Sequence, residues 1–79
     1  MDNVTERLTT CFATVFPKLA ASRITVASVQ DVPEWDSVAQ VNLLSVIGEE
    51  FGMEIDFDEF EDATSFRAIA ERLHEKAHD

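Results

Sequence analysis

Asp36-Ser37-Val38-Ala39-Gln40-Val41-Asn42-Leu43-Leu44-Ser45-Val46-Ile47-Gly48-Glu49-Glu50-Phe51-Gly52 is the stretch on which the fold turns. Val41, Leu44, Ile47 and Phe51 recur at helical spacing and Leu43 widens the stripe, which predicts a helix over 37–51. Asp36 is a good N-cap, Ser37 with Gln40 offers an alternative capping box, and Gly52 suits the C-cap. A helix apolar over so much of its girth belongs at the centre of a fold, touching more than one neighbour. Asn42, Ser45 and Glu49 mark its wet side.

Upstream, Val4, Leu8, Cys11, Phe12 and Val15 fall on one face of a helix expected at about 3–16. Asp2 and Asn3 can cap it and Pro17 helps stop it. Residues 17–36 hold no period of two or 3.6. A connection that long in a small domain implies function or anchoring. Its scattered apolar residues, Val32 and Trp35 above all, are read as pins onto the core. Downstream, Met53-Glu54-Ile55 reads as extended and 56–60 as one or two helical turns. A last helix begins near Thr64 or Ser65, with Phe66, Ile69, Ala70, Leu73 and Ala77 on its buried face. The expectation is a single all-α domain over 1–79: three main helices, one short helix and a long first loop.

Composition narrows the function. The chain has 79 residues, 46% of them hydrophobic with six Phe, too apolar for a disordered acidic tail. Its formal charge of −10 comes from 16 acids against 6 bases. The segment 24–66 holds eleven of those acids and no Lys or Arg, so it carries −11 and the remainder +1. Nucleic acid and anionic membrane would be repelled by that surface, whereas a basic protein patch would be attracted. No apolar run reaches the ~18 residues of a membrane span. Cys11 is the only cysteine, which rules out an internal disulfide and reads as a small core residue. Met1-Asp2-Asn3 lacks the features of a signal peptide, so a cytoplasmic location is expected.

Within the acidic segment, Ser37 presents a hydroxyl at a helix start after a long loop. Helix-start serines are common as caps. In this setting the reading is a serine that a basic partner protein finds and modifies. No base accompanies it in the sequence, so it is a substrate rather than a catalytic nucleophile.

Asp36-Ser37-Val38 resembles the Asp-Ser-Leu attachment motif of the acyl carrier protein family. Glu49-Glu50-Phe51-Gly52-Met53-Glu54-Ile55 resembles that family's helix end and exit, and Ala63-Thr64-Ser65-Phe66 its lead-in to the last helix. The resemblance implies a four-helix bundle whose serine, Ser37, bears 4′-phosphopantetheine, with Asp36 as part of the motif. The group comes from coenzyme A through a phosphopantetheinyl transferase with Mg²⁺. Its thiol then holds an acyl or aminoacyl group as a thioester. The partners so implied are the transferase, an acyl- or aminoacyl-loading ligase and downstream acyl-processing enzymes, visited by a monomer. Val38, Asn42, Val46, Glu49 and Glu50 are the expected recognition face; core packing for the valines and a solvated helix end for the acids are the plain alternatives.

The chain departs from the family at several positions. Val38 follows the serine where Leu is usual, and Trp35 stands where Gly is usual. Ala39, Gln40 and Asn42 occupy positions that tend to be acidic in carriers for fatty acid synthesis. These differences point to a specialised carrier with its own partners. Asp36 before the serine argues against the peptidyl carriers of large peptide synthetases. Six Phe also suggest little room for a long acyl chain inside the bundle.

Two other patterns are rejected. His74-Glu75-Lys76-Ala77-His78 is a literal H-E-x-x-H, but no third ligand accompanies it and only Asp79 follows. Asp56, Asp58 and Glu61 lack the Gly and distant Glu of a calcium loop. Neither a catalytic site nor a resident metal is expected. The remaining alternative is an unmodified acidic helical adaptor for a basic partner.

Overall fold

The computed structural model describes residues 3–77. Four α-helices follow in order: α1 (Asn3–Val15), α2 (Ala21–Ile24), α3 (Ser37–Phe51) and α4 (Phe66–Ala77), with a 3-10 turn at Phe57–Phe60 between the last two. No strand occurs among the described residues, and the arrangement is an all-α bundle. α1 packs chiefly against α3, and also against α4 and α2.

The helix starts are set by short side chains that accept from backbone N–H groups. Asp36 Oδ1 accepts from Ala39 N at 2.9 Å, Asp56 Oδ1 from Asp58 N at 3.0 Å, and Ser65 Oγ from Ala68 N at 3.1 Å. Each satisfies a donor that a helix start leaves over. At the other end of α3, Gly52 adopts φ 60°, the left-handed conformation that glycine takes without a Cβ penalty. α3 therefore begins and ends where its capping residues dictate. The alternative capping box does not form, because Gln40 turns inward.

The core draws on every element. Leu8, Cys11 and Phe12 from α1, Leu43, Leu44 and Ile47 from α3, and Phe66, Ile69 and Leu73 from α4 are buried, with Phe16, Phe60 and Ala63 from the connecting segments and the 3-10 turn. Phe12 is the hub of the aromatics. Its ring centroid lies 5.1 Å from Phe66, 5.3 Å from Trp35 in an edge-on arrangement, and 5.9 Å from Phe16. Such spacings lie in the favourable range for aromatic pairs.

The long first loop is more ordered than its sequence implied. It contains α2, a single helical turn that periodicity cannot register at four residues. It then proceeds through successive turns: Ala27 N–H donates to Ile24 O, Val32 N–H to Ser28 O and Trp35 N–H to Val32 O. Ile24, Ala27, Val32 and Trp35 are the buried pins. Between them an antiparallel bridge ties Ser28 to Ser65, with Val29 N–H donating to Thr64 O and Phe66 N–H to Ala27 O, both at 2.9 Å. That bridge anchors the loop to the start of α4.

One assignment on α3 changes. Val41, expected in the buried stripe, is 52% exposed. At ~100° per residue, Gln40, Ile47, Phe51 and Leu44 cluster around the core direction, while Val41 lies a quarter turn away. The position expected to be part of a capping box is the buried one, and the valine beside it faces out.

Candidate functional site

Ser37 is the first residue of α3 and is exposed. Asp36 fixes the helix start twice over, through its side chain on Ala39 N and its carbonyl, which accepts from Gln40 N at 2.9 Å. The N–H groups of Ser37 and Val38 are those that a helix start leaves without an intrahelical partner. The positive end of the helix dipole lies at the same place. Among the described residues nothing hydrogen-bonds the Ser37 hydroxyl, and the neighbouring carboxylate, Asp36, is committed to its cap. The site offers an accessible acceptor of a group and no base of its own.

A groove of ≈ 580 Å³ opens beside Ser37, walled by Val29, Trp35 and Phe57 and floored by Gln40, with Asp36, Glu61 and Thr64 at its rim. A second groove runs along the same side of α3, past Val41, Leu44 and Gly48 to Met53 and Ile55. Phe57, 42% exposed, borders both. Sequence reading missed Phe57 and misplaced Val41. The usable signal was an angular one: Ser37, Val41 and Gly48 share one strip of α3, beside the core strip rather than within it.

The expected recognition face is split by its surroundings. Val38 is 69% exposed, and Asn42 and Glu49 are exposed beside it on one face of α3. Val46 is half-buried against the core. Glu50 is already occupied: its carboxylate pairs with Arg7 Nε at 3.2 Å, and Arg7 Nη2 donates to the Glu50 carbonyl. The Arg7 guanidinium also lies 5.0 Å from the centroid of Phe51. Similar pairing occurs at the far end of the acidic segment. Arg72 pairs with Asp62 at 2.8 Å and donates to Glu59 O, and Lys76 pairs with Glu59 at 2.9 Å. Asp31, Glu34, Asp36, Glu49, Glu54, Asp56, Asp58 and Glu61 of the acidic segment have no ion pair among the described residues, so most of that segment's charge is uncompensated.

Cys11 is 1% exposed, and burial, reinforced by Glu50 and offset by Arg7, pushes its thiol up to about 11. It is a core residue. His78 of the H-E-x-x-H pattern lies outside the described residues, and no group of three or more potential metal ligands occurs among the described ones.

Comparison with known families matches residues 34–73 to the phosphopantetheine attachment site family. The chain belongs to that family. The match spans just over half of the chain, from the residues before the α3 cap to Leu73 of α4, and so contains Ser37, the second groove and every wall of the first except Val29. Its domain is the site at which 4′-phosphopantetheine is attached covalently, and the chain is a phosphopantetheine carrier with an acyl-carrier-like all-α fold. Carrier domains of this kind are carriers rather than catalysts and work with a modifying transferase and acyl-processing enzymes. No curated protein and no solved structure matched the chain. The residues fit the group: an exposed hydroxyl, free helix-start N–H groups suited to a phosphodiester, and an adjoining groove within the usual size of small-molecule sites. No described helix is long and apolar enough to cross a membrane.

Proposed function

We propose that Ser37 is the attachment residue and that this carrier holds acyl or aminoacyl groups as thioesters for partner enzymes. The observation that carries the proposal is the position of Ser37. It is the exposed first residue of α3, held there by the Asp36 cap within the matched segment. In the modification, the Ser37 oxygen forms a bond to the phosphorus nearest the pantetheine of coenzyme A. The phosphoanhydride bond of coenzyme A breaks, 3′,5′-ADP departs, and the serine proton passes to a base. Because α3 supplies no base, that base belongs to the transferase. The N–H groups of Ser37 and Val38 and the helix dipole then favour the phosphodiester. Asp36 opposes that anion, but as the cap it keeps the helix start in place.

The attached group supplies a thiol on a flexible arm. The chain's own residues supply partner recognition. Val38, Asn42 and Glu49 form the exposed part of the proposed face, with Val46 at its packed edge and Glu50 steadied by Arg7. Unpaired acids around it favour partners with a basic docking patch, and complementary charge speeds their encounter. A cytoplasmic monomer that visits a transferase, a loading ligase and acyl-processing enzymes in turn fits this role.

The test is intact mass after incubation with coenzyme A, Mg²⁺ and a broad-specificity phosphopantetheinyl transferase. Wild type should gain one phosphopantetheine and Ser37→Ala none. A gain on Ser37→Ala would move the site elsewhere, and no gain on wild type with the cognate transferase would sink the carrier reading.

A further inference from the structure

A chain tethered at Ser37 has two places to go: into the bundle or along its outside. The way in passes between α3 and the segment 53–60, which faces the strip bearing Ser37, Val41 and Gly48. That seam is bolted at two levels. Near Ser37, the buried side chain of Gln40 accepts from Trp35 Nε1 at 2.6 Å and donates to the Phe60 carbonyl at 3.1 Å. It thereby joins the first loop, α3 and the 3-10 turn across the floor of the groove. Further along, the C-cap turn of α3, in which Met53 N–H donates to Gly48 O at 3.1 Å, brings the departing chain back against the helix. The backbones are so close there that a Cβ on residue 48 would meet Met53 O at 3.1 Å.

Behind the seam there is little to enter. Phe12, Trp35, Phe16 and Phe66 pack together at tilted and edge-on angles, and Phe60 is fully buried. An alkyl chain pushing between α3 and Phe60 would take the buried Gln40 amide N–H from its acceptor, leave the Phe60 carbonyl with Ala63 N–H alone, and displace aromatic packing. Burial of its methylenes would have to outweigh both costs. Outside, the grooves beside Phe57 are open, with apolar walls and carboxylates at the rim, so a cargo lying there stays in contact with water.

Resting on the carrier reading above, we infer that the Trp35–Gln40–Phe60 bridge shuts the bundle to cargo, so that this carrier serves short or polar acyl groups, aminoacyl included, rather than long alkyl chains. Uniformly labelled protein is loaded by the transferase from acetyl-coenzyme A or dodecanoyl-coenzyme A, with the products checked by intact mass. Methyl NMR of Leu43, Ile47, Ile69 and Leu73 and thermal melting are then compared.

The inference expects the same core methyl shifts and the same Tm for the two wild-type products. Gln40→Ala should acquire a chain-length dependence, with core shifts and a higher Tm in the dodecanoyl form, as expected when a bound group stabilises the native state. Trp35→Phe, which removes the donor and keeps most of the bulk, repeats the test should Gln40→Ala not fold. Chain-length-dependent core shifts in wild type would overturn the inference and leave the carrier reading standing. Variants as indifferent to chain length as wild type would overturn the role of the bridge. No mass gain at all would sink the carrier reading and this inference with it.

Discussion

Trp35 and Gln40 hold each other at the start of α3: the indole Nε1–H donates to Gln40 Oε1 at 2.6 Å, and both residues are buried. The remaining capacity of Gln40 goes to the Phe60 carbonyl, and no buried side-chain polar atom is left without a partner among the described residues. A polar group inside a small core is tolerable only on those terms. The pair also sets Ser37 in place, since Trp35 precedes the Asp36 cap and Gln40 lies one turn into the helix it starts.

Gln40→Leu strands the indole N–H and leaves the Phe60 carbonyl only its bond from Ala63 N–H. A buried group left unpaired costs about 1–3 kcal/mol, so a loss of about 1–3 kcal/mol is expected in urea unfolding followed by far-UV circular dichroism, which also reads the variants that lack Trp35. Trp35→Phe alone should cost less. In a double-mutant cycle the combined variant should lose less than the sum, with a coupling of about 0.5–3 kcal/mol. Strict additivity would show that the bond adds nothing.

Gly48 within α3 and Gly52 at its C-cap should respond differently to alanine. Gly52, at φ 60°, forces a Cβ into the left-handed region, so Gly52→Ala should destabilise by about 1 kcal/mol or somewhat more. Gly52→Asn should cost less. Gly48→Ala carries a helix-propensity gain of up to ~1 kcal/mol. The new Cβ would meet Met53 O at 3.1 Å, so no net stabilisation is expected. Thermal melts decide both, and a clearly stabilised Gly48→Ala would mean that the 53–55 segment yields easily.

Arg7→Ala removes an ion pair to Glu50, a hydrogen bond to its carbonyl and a guanidinium over Phe51. At a half-exposed site these sum to about 1–2 kcal/mol. Arg7→Lys keeps the charge but loses the planar fork, and should recover less than half. Loss of the whole effect in high salt would reduce Arg7 to a screened surface charge.

Cys11 makes stability fall in alkaline solution. Its folded-state thiol stays protonated up to about pH 11, against an ordinary value of 9.0. Between those values the native state holds the proton that the unfolded chain has lost, so stability declines as pH rises. Its contribution is intact below pH 9 and the loss approaches a few kcal/mol, on the order of 2–3, by pH 11. Cys11→Ala should lack that slope. A thiol reagent at pH 8 should react with native wild type only as fast as the protein opens.

Much of the site was legible in the sequence because its determinants are local. Asp36, Ser37 and Gly52 act through the backbone next to them, and a cap or a left-handed turn depends on a few neighbouring residues. The burial of Val32 and Trp35 was legible too, as apolar residues stranded in a polar loop. α2 was not, since one turn is too short to show a period. Nor was the Ser28–Ser65 bridge, which joins residues far apart in the chain through backbone groups that every residue carries.

The sequence by itself determined the three main helices, the acidic segment and the serine at the head of α3. These rest on periodicity, charge counts and capping chemistry, which are properties of short stretches. Tertiary structure alone decided which acids stay unpaired, because Arg7, Arg72 and Lys76 reach theirs across helix contacts. It also decided that Gln40 lies inside while Val41 and Phe57 face the grooves. The side of a helix that is buried depends on what packs against it, and a polar side chain can enter a core only where distant partners satisfy its hydrogen bonds.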